Sequence, residues 1–202
     1  MYEYAKLSEV KQITMWCENI IHDVQNYLKD HFTFDIKLNG SGEKRLVMKN
    51  GKNDYFDLDY NLILQKDKKN LISNPQKIRQ LFIDAFNHSA QVYGFDYAND
   101  STSVITVQLI YCNQLNFSFD VAILVQDNDG KYYSIKYDKI SNRYLWNEIK
   151  HSKNYMDKFR YIKENGQWMG FKERYKYLKN MHLSRNDKVK SFSIFLETLN
   201  EF

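Results

Sequence analysis

Residues 55–64, YFDLDYNLIL, alternate with a period of two: Phe56, Leu58, Tyr60, Leu62 and Leu64 fall on one side, Asp57, Asp59 and Asn61 on the other. A helix would scatter these residues around its axis, so the segment reads as a strand with one buried face. Two aspartates inside an apolar strand work against β structure. At positions i and i+2 they share a face about 7 Å apart. Like charges so placed repel unless a cation neutralises them. A solvent-facing strand edge is the bland alternative for this pair taken alone. The segment FSFDVAIL follows the same rule. Phe117, Phe119, Val121 and Ile123 form its apolar face, and Asp120 stands on the other face between Ser118 and Ala122. A lone charge flanked by small residues suggests a site rather than a solvated surface.

The remaining patterns give an α+β chain. Residues 8–30 carry apolar side chains at helical spacing (Val10, Ile13, Cys17, Ile20, Val24, Leu28), with Ser8 as the expected N-cap. Residues 32–38 alternate again and run into Asn39-Gly40-Ser41-Gly42. A charged segment reaches Asp54, with a turn expected at Asn50-Gly51. Asn74-Pro75 starts a helix that Gly94 ends. Strands are expected at 104–111, 117–125 and 131–137, joined by connections short enough for antiparallel hairpins. Asp127-Asn128-Asp129-Gly130 is one of these turns, because a Ca²⁺ loop would need a Glu that is missing. Helices are expected near 143–163, 168–181 and 187–200. The predicted organisation is an α+β core over 1–137 and a helical C-terminal part over 138–202 packed on it.

Composition narrows the class. Of 202 residues, 43% are hydrophobic and 16% aromatic, enough for a packed core. No apolar run approaches the roughly 18 residues of a membrane span, and the first residues lack a signal core. A soluble, cytoplasmic protein with no membrane partner is expected. Cys17 and Cys112 form no CxxC, and the five histidines have no metal-ligand spacing. Trp146 and Trp168 are expected to pack in the core rather than stack on bases. Charge is unevenly spread: residues 131–190 hold 16 Lys and Arg against 6 Asp and Glu, a net of +10 that leaves −6 elsewhere. An acidic part joined to a basic part suits a site where acids hold cations and bases hold an anionic substrate.

Gly40-Ser41-Gly42 directly follows a strand, where glycines let backbone N–H groups approach phosphate oxygens and Ser41 adds a hydroxyl donor. A plain turn is the alternative. Neither a P-loop nor a dinucleotide fingerprint is present. Lys172 and Lys176, four apart, share a helix face that could clamp a triphosphate or simply be a solvated stripe.

A strand, Gly-Ser, a strand with Asp-x-Asp and a later strand with a third Asp: this order resembles the nucleotidyltransferase superfamily of DNA polymerase β type. That superfamily includes CCA-adding enzymes, oligoadenylate synthetases and cyclic GMP–AMP synthase-like proteins. The likeness covers residues 32–125 best and implies a nucleotidyltransferase-like mixed or antiparallel sheet with flanking helices and a basic helical C-terminal part. It implies that Asp57, Asp59 and Asp120 bind two Mg²⁺ (or Mn²⁺) ions and serve as the catalytic acids. It also implies that Gly40 and Ser41 hold the triphosphate. In the C-terminal part, RYKYLKN and SFSIFLETL are similar to the family's pattern, which implies a phosphate contact for Lys176 and a nucleotide contact for Ser193, with Glu197 as the following acid. Lys172 joins Lys176 by helical geometry. Gly42-Glu43-Lys44-Arg45 departs from the family's usual small residues.

The expected activity is Mg²⁺-dependent transfer of a nucleoside monophosphate from ATP or another NTP to a hydroxyl, releasing pyrophosphate. RNA ends, a second nucleotide, a protein hydroxyl and a small molecule all stay open as acceptors. The rival readings are a non-catalytic nucleic-acid-binding module using the +10 region, and a degenerate nucleotidyltransferase serving as a scaffold. Metal-dependent nucleotide binding separates the first from the enzyme.

Overall fold

The computed structural model describes residues 1–51, 55–111, 114–149 and 154–202. Cys112, His151 and the end of the charged segment at Asp54 lie outside the described residues. The elements run β1 (Tyr2–Tyr4), α1 (Leu7–Tyr27), β2 (Phe32–Asn39), α2 (Gly40–Lys44), β3 (Met48–Asn50), β4 (Asp57–Asp67), α3 (Pro75–Val92), β5 (Asn99–Asp100), β6 (Ile105–Tyr111), β7 (Gln114–Gln126), β8 (Tyr132–Asp138), β9 (Arg143–Glu148), α4 (Asn154–Glu164), α5 (Trp168–Ser184) and α6 (Ser191–Asn200). They fall into two compact units. One holds Ala5–Val47 and Tyr55–Ile149; the other holds β1, β3 and α4–α6.

Among the described residues, the first unit is built on a mixed seven-stranded sheet. β2 is antiparallel to β4, and β4 is parallel to β7. β7 is antiparallel to β6 and, through Leu124–Gln126, to β8. β5 extends β6, and β9 extends β8. The alternation read from the sequence sorts side chains onto two faces. Phe34, Leu58, Tyr60, Phe119, Val121 and Ile105 are buried with Cys17, Ile20 and Val24 of α1 and Phe82 and Phe86 of α3. Phe119 sits at the centre, edge-on to Tyr60 and to Phe86 at 6.1 Å each. Asp57, Asp59 and Asp120 therefore project from the opposite face.

Several helix signals act as expected. The Asn74 side chain accepts from Lys77 N at 3.0 Å, with Pro75 in the first turn. Gly94 ends the helix in the left-handed region at φ +78°. Ser8, by contrast, lies inside α1 and caps nothing; Lys6 holds the N-cap position without a side-chain bond.

The helix expected from 143 is instead the strand β9, so the sheet-bearing unit continues to Ile149, past Tyr137. Its cause is local. Asp138 accepts bonds from Ile140 N, Ser141 N and the Ser141 hydroxyl, and Asn142 takes φ +54°, which closes a hairpin. Tyr144 and Trp146 then alternate onto the packed face, opposite Tyr137 and Ile135. Trp146 Nε1 donates to Ile72 O at 2.7 Å. Arg79 of α3, fully buried, fastens the β5–β6 connection. Its Nε donates to Asp100 Oδ1 at 2.9 Å and its Nη2 to the carbonyls of Ser101 and Val104.

The second unit packs α4, α5 and α6 around an aromatic cluster. Ring centroids of Phe159 and Phe195 are 5.2 Å apart, and Trp168 stacks on Phe171 at 5.8 Å. β1 pairs antiparallel with β3. Asn180 of α5 acts as a strand partner for Tyr2, accepting from its N–H at 2.6 Å and donating to its carbonyl at 3.0 Å. Among the described residues, no helix is long and apolar enough to cross a membrane.

Candidate active site

Pairing register gathers the acids. Asn39 of β2 lies opposite Asp59, Asp59 opposite Asp120, Asp120 opposite Thr106 of β6, and Thr106 opposite Asn99 of β5. One polar row thus crosses the sheet, with Asp57 and its cross-strand neighbour Ser118 next to it. Adjacent strands lie about 4.8 Å apart, so Asp120 stands beside the Asp57/Asp59 pair on one face of the sheet.

The acids feel one another. Burial holds the Asp59 carboxyl above the usual carboxylate range, and the charges of Asp120 and then Asp57 push it further; Lys44 works the other way. Burial also raises Asp120, the Thr106 hydroxyl partly offsets this, and Asp57 adds to the rise. Thr106 Oγ1 donates to Asp120 Oδ1 at 2.6 Å, and the Ser118 hydroxyl donates to Asp57 Oδ1. Among the described residues, no three His, Cys, Asp or Glu side chains are grouped so as to hold a metal ion. Carboxylates without a cation between them repel, and here the two outer ones are taken by neighbouring hydroxyls.

The Gly-Ser segment, read as a phosphate-approaching loop with a plain turn as the alternative, opens the short helix α2. Gly40 has φ +62°, and a Cβ there would collide with the Asp59 carboxylate, whose Cγ would be 3.1 Å away. Glycine is required for both reasons. The contact puts the Gly40-Ser41 backbone against Asp59. A Cβ on Gly42 would press on the Leu38 side chain at 2.9 Å. α2 ends at Arg45, in the left-handed region, and Leu46 N donates to Ser41 O at 2.9 Å.

Lys44, Thr106 and Ser118 are site residues that the sequence reading passes over. Lys44 is 7% exposed, and its Nζ donates to Gly40 O and to Glu43 Oε2 at 3.3 Å each. A lysine four positions after Gly40 would have been a signal had GSGEK been read as a helical turn.

Lys172, Lys176 and Ser193 belong to the other unit. Lys172 Nζ lies over the Tyr4 ring at 4.1 Å, and Lys176 Nζ is 3.4 Å from both Glu3 and Glu173. The two lysines do share a face of α5, the one facing β1. Ser193 is exposed at the start of α6. Glu197 accepts from His182 Nε2 at 3.2 Å, while His182 Nδ1 is 3.0 Å from Asp187.

No family model matches the chain, and no curated protein does in sequence. Solved structures do match. The STING-associated CdnE c-di-GMP synthase from Capnocytophaga granulosa aligns with 98% of this chain and 61% of its own, at 15% identity and a TM-score of 0.62. A Vibrio cholerae di-nucleotide cyclase (DncV), with two aspartates two positions apart replaced by alanine, aligns over 98% of this chain and 68% of its own, at 9% identity and a TM-score of 0.70. CdnC of E. coli MS115-1 with ATP gives 95% and 58% coverage, 15% identity and a TM-score of 0.54. The chain has the nucleotidyltransferase fold. It spans about three fifths of the length of the Capnocytophaga protein. The α+β class and the mixed sheet with flanking helices agree with the likeness drawn from the sequence.

Proposed function

We propose that the chain transfers a nucleoside monophosphate from an NTP to a hydroxyl of a second nucleotide, with release of pyrophosphate. The observation that carries this is the register of Asp59 against Asp120, with Asp57 two residues away and Gly40 packed on Asp59. The acceptor class is drawn from the matching structures, a c-di-GMP synthase and a di-nucleotide cyclase. In a further structure the cyclase, with an aspartate changed to asparagine, is bound to ATP and GTP.

The donor set fits Mg²⁺ or Mn²⁺. It consists of carboxylate oxygens, which hard divalent ions prefer, and its mutual repulsion is what a cation relieves. Asp57 and Asp59 would hold both ions, and Asp120 would complete the one on the nucleophile side. When bound, such ions lower the charge on the phosphates and favour an ionised acceptor hydroxyl.

The residues divide the remaining work. Gly40 and Ser41 present backbone N–H groups and a hydroxyl to the leaving pyrophosphate. Lys172 and Lys176 supply positive charge to the same group. The acceptor oxygen bonds to the α-phosphorus as the bond from that phosphorus to the bridging oxygen breaks. The electron pair leaves with pyrophosphate. Asp120 favours the deprotonated acceptor, whose proton leaves to water. Ser193 contacts the nucleotide.

The test is incubation of the full chain with each labelled NTP and Mg²⁺ or Mn²⁺, alone, in pairs and with RNA. Pyrophosphate release with a dinucleotide product supports the reading. A product extended on RNA changes the acceptor. Metal-independent nucleic-acid binding without turnover replaces the reading with a binding module.

A further inference from the structure

The two outer acids of the site are each engaged by a hydroxyl, and the pattern is the same in both. The Asp57 carboxylate on β4 takes Ser118 of β7, the next strand; the Asp120 carboxylate on β7 takes Thr106 of β6, the next strand again. In each case the partner is the direct cross-strand neighbour, so backbone register, not side-chain chance, aligns donor and acceptor. In each case one carboxylate oxygen is bonded. Ser118 is 6% exposed, so its hydroxyl has little water to turn to. Both strands would accept valine at these positions equally well on β propensity, which leaves the hydroxyl itself to be explained.

We propose that Thr106 and Ser118 are positioning residues of the metal site. Each fixes one oxygen of an outer carboxylate and thereby presents the other, Oδ2, to a divalent cation. Partners of this kind orient ligands before the ion arrives and remove the rotamer freedom it would otherwise have to freeze. The inference rests on the metal-binding reading of Asp57, Asp59 and Asp120.

The experiment is direct Mn²⁺ titration of the full chain by electron paramagnetic resonance, with a non-hydrolysable NTP present, for wild type, Thr106→Val, Thr106→Ser and Ser118→Ala. Thr106→Val keeps the shape and removes the hydroxyl, and is expected to weaken Mn²⁺ binding about 10- to 100-fold. Thr106→Ser restores the donor and is expected to bind like wild type. Ser118→Ala repeats the test on Asp57, and stands alone if Thr106→Val fails to fold. Mn²⁺ affinity unchanged in both Thr106→Val and Ser118→Ala overturns the positioning role while leaving the metal site intact. A wild type that binds no Mn²⁺ overturns the metal site itself.

Discussion

Asp59 of β4 and Asp120 of β7 are cross-strand neighbours in a parallel pair, so the chain places two carboxylates side by side on the face of the sheet away from α1 and α3. Neither is fully exposed. Burial raises both pKa values, and Asp120 and Asp57 raise that of Asp59 further. This arrangement disfavours the ionised forms of Asp59 and Asp120, a repulsion that a cation would relieve.

Asp59→Asn should therefore stabilise the metal-free chain while abolishing Mn²⁺ binding. The sign follows from the raised pKa. Below the ordinary value of 3.8, folded and unfolded chains are both protonated at this position, and no penalty exists. As pH climbs through the raised folded value, the unfolded chain ionises more readily, and wild type loses stability. The asparagine variant loses none. Its melting temperature should exceed that of wild type at pH 7, by about 2–4 °C for each kcal/mol relieved, and the gap should close as pH falls towards 3.8. A variant less stable than wild type at pH 7 would make Asp59 a structural residue.

Gly40→Ala should be worse than Gly94→Ala, although both positions have positive φ. Gly94 has open space where a Cβ would go, so alanine there meets backbone strain alone, about 1–2 kcal/mol. At Gly40 the same strain is joined by collision with the Asp59 carboxylate. Denaturant melts should show the larger loss at Gly40. Mn²⁺ titration should show weakened binding for Gly40→Ala and wild-type affinity for Gly94→Ala.

The strands bearing the acids are legible because alternation is local: Phe56, Leu58 and Tyr60 announce which face Asp57 and Asp59 share. That β4 and β7 lie beside each other in parallel is not local, and no periodicity within 55–64 or 117–124 encodes it. Thr106 and Ser118 become visible as partners once that register exists. α2 is hidden for another reason. Five residues with two glycines carry too little helix propensity to be read as a turn of helix, yet a Cβ at Gly40 or Gly42 would press on the Asp59 or Leu38 side chain. β9 is misread although Tyr144 and Trp146, two apart, share a strand face and not a helical one; the Asp138 turn starts it.

His182 should titrate above its ordinary value of 6.5, because its hydrogen bonds to Asp187 and then to Glu197 favour the imidazolium. A raised folded pKa stabilises the chain fully below the unfolded value of 6.5, and that contribution disappears as pH rises through the folded one. The melting temperature of wild type should fall as pH is raised from 6.5, and His182→Gln should flatten this slope. Proton NMR of the imidazole checks the titration directly. A midpoint at or below 6.5 would show that the two carboxylates do not hold the ring in solution.

Lys176 offers the sharpest separation between a phosphate-binding and a structural role. Its contacts with Glu3 and Glu173 are solvent-screened surface ion pairs at 3.4 Å, and such pairs contribute little to stability. Lys176→Gln should thus leave the melting temperature nearly unchanged. If Lys176 also supplies charge to a triphosphate, the same substitution should raise KM for NTP and weaken binding of the non-hydrolysable analogue. Lys188→Gln, which removes the same charge from the loop between α5 and α6, should do neither. The comparison holds net charge constant between the two variants, so a difference cannot come from the overall field of the +10 region. Equal, small effects on NTP binding would mean that the basic stripe acts diffusely, and would move the leaving-group contacts to Gly40 and Ser41. A fall in melting temperature with KM unchanged would make Lys176 an anchor for β1 through Glu3.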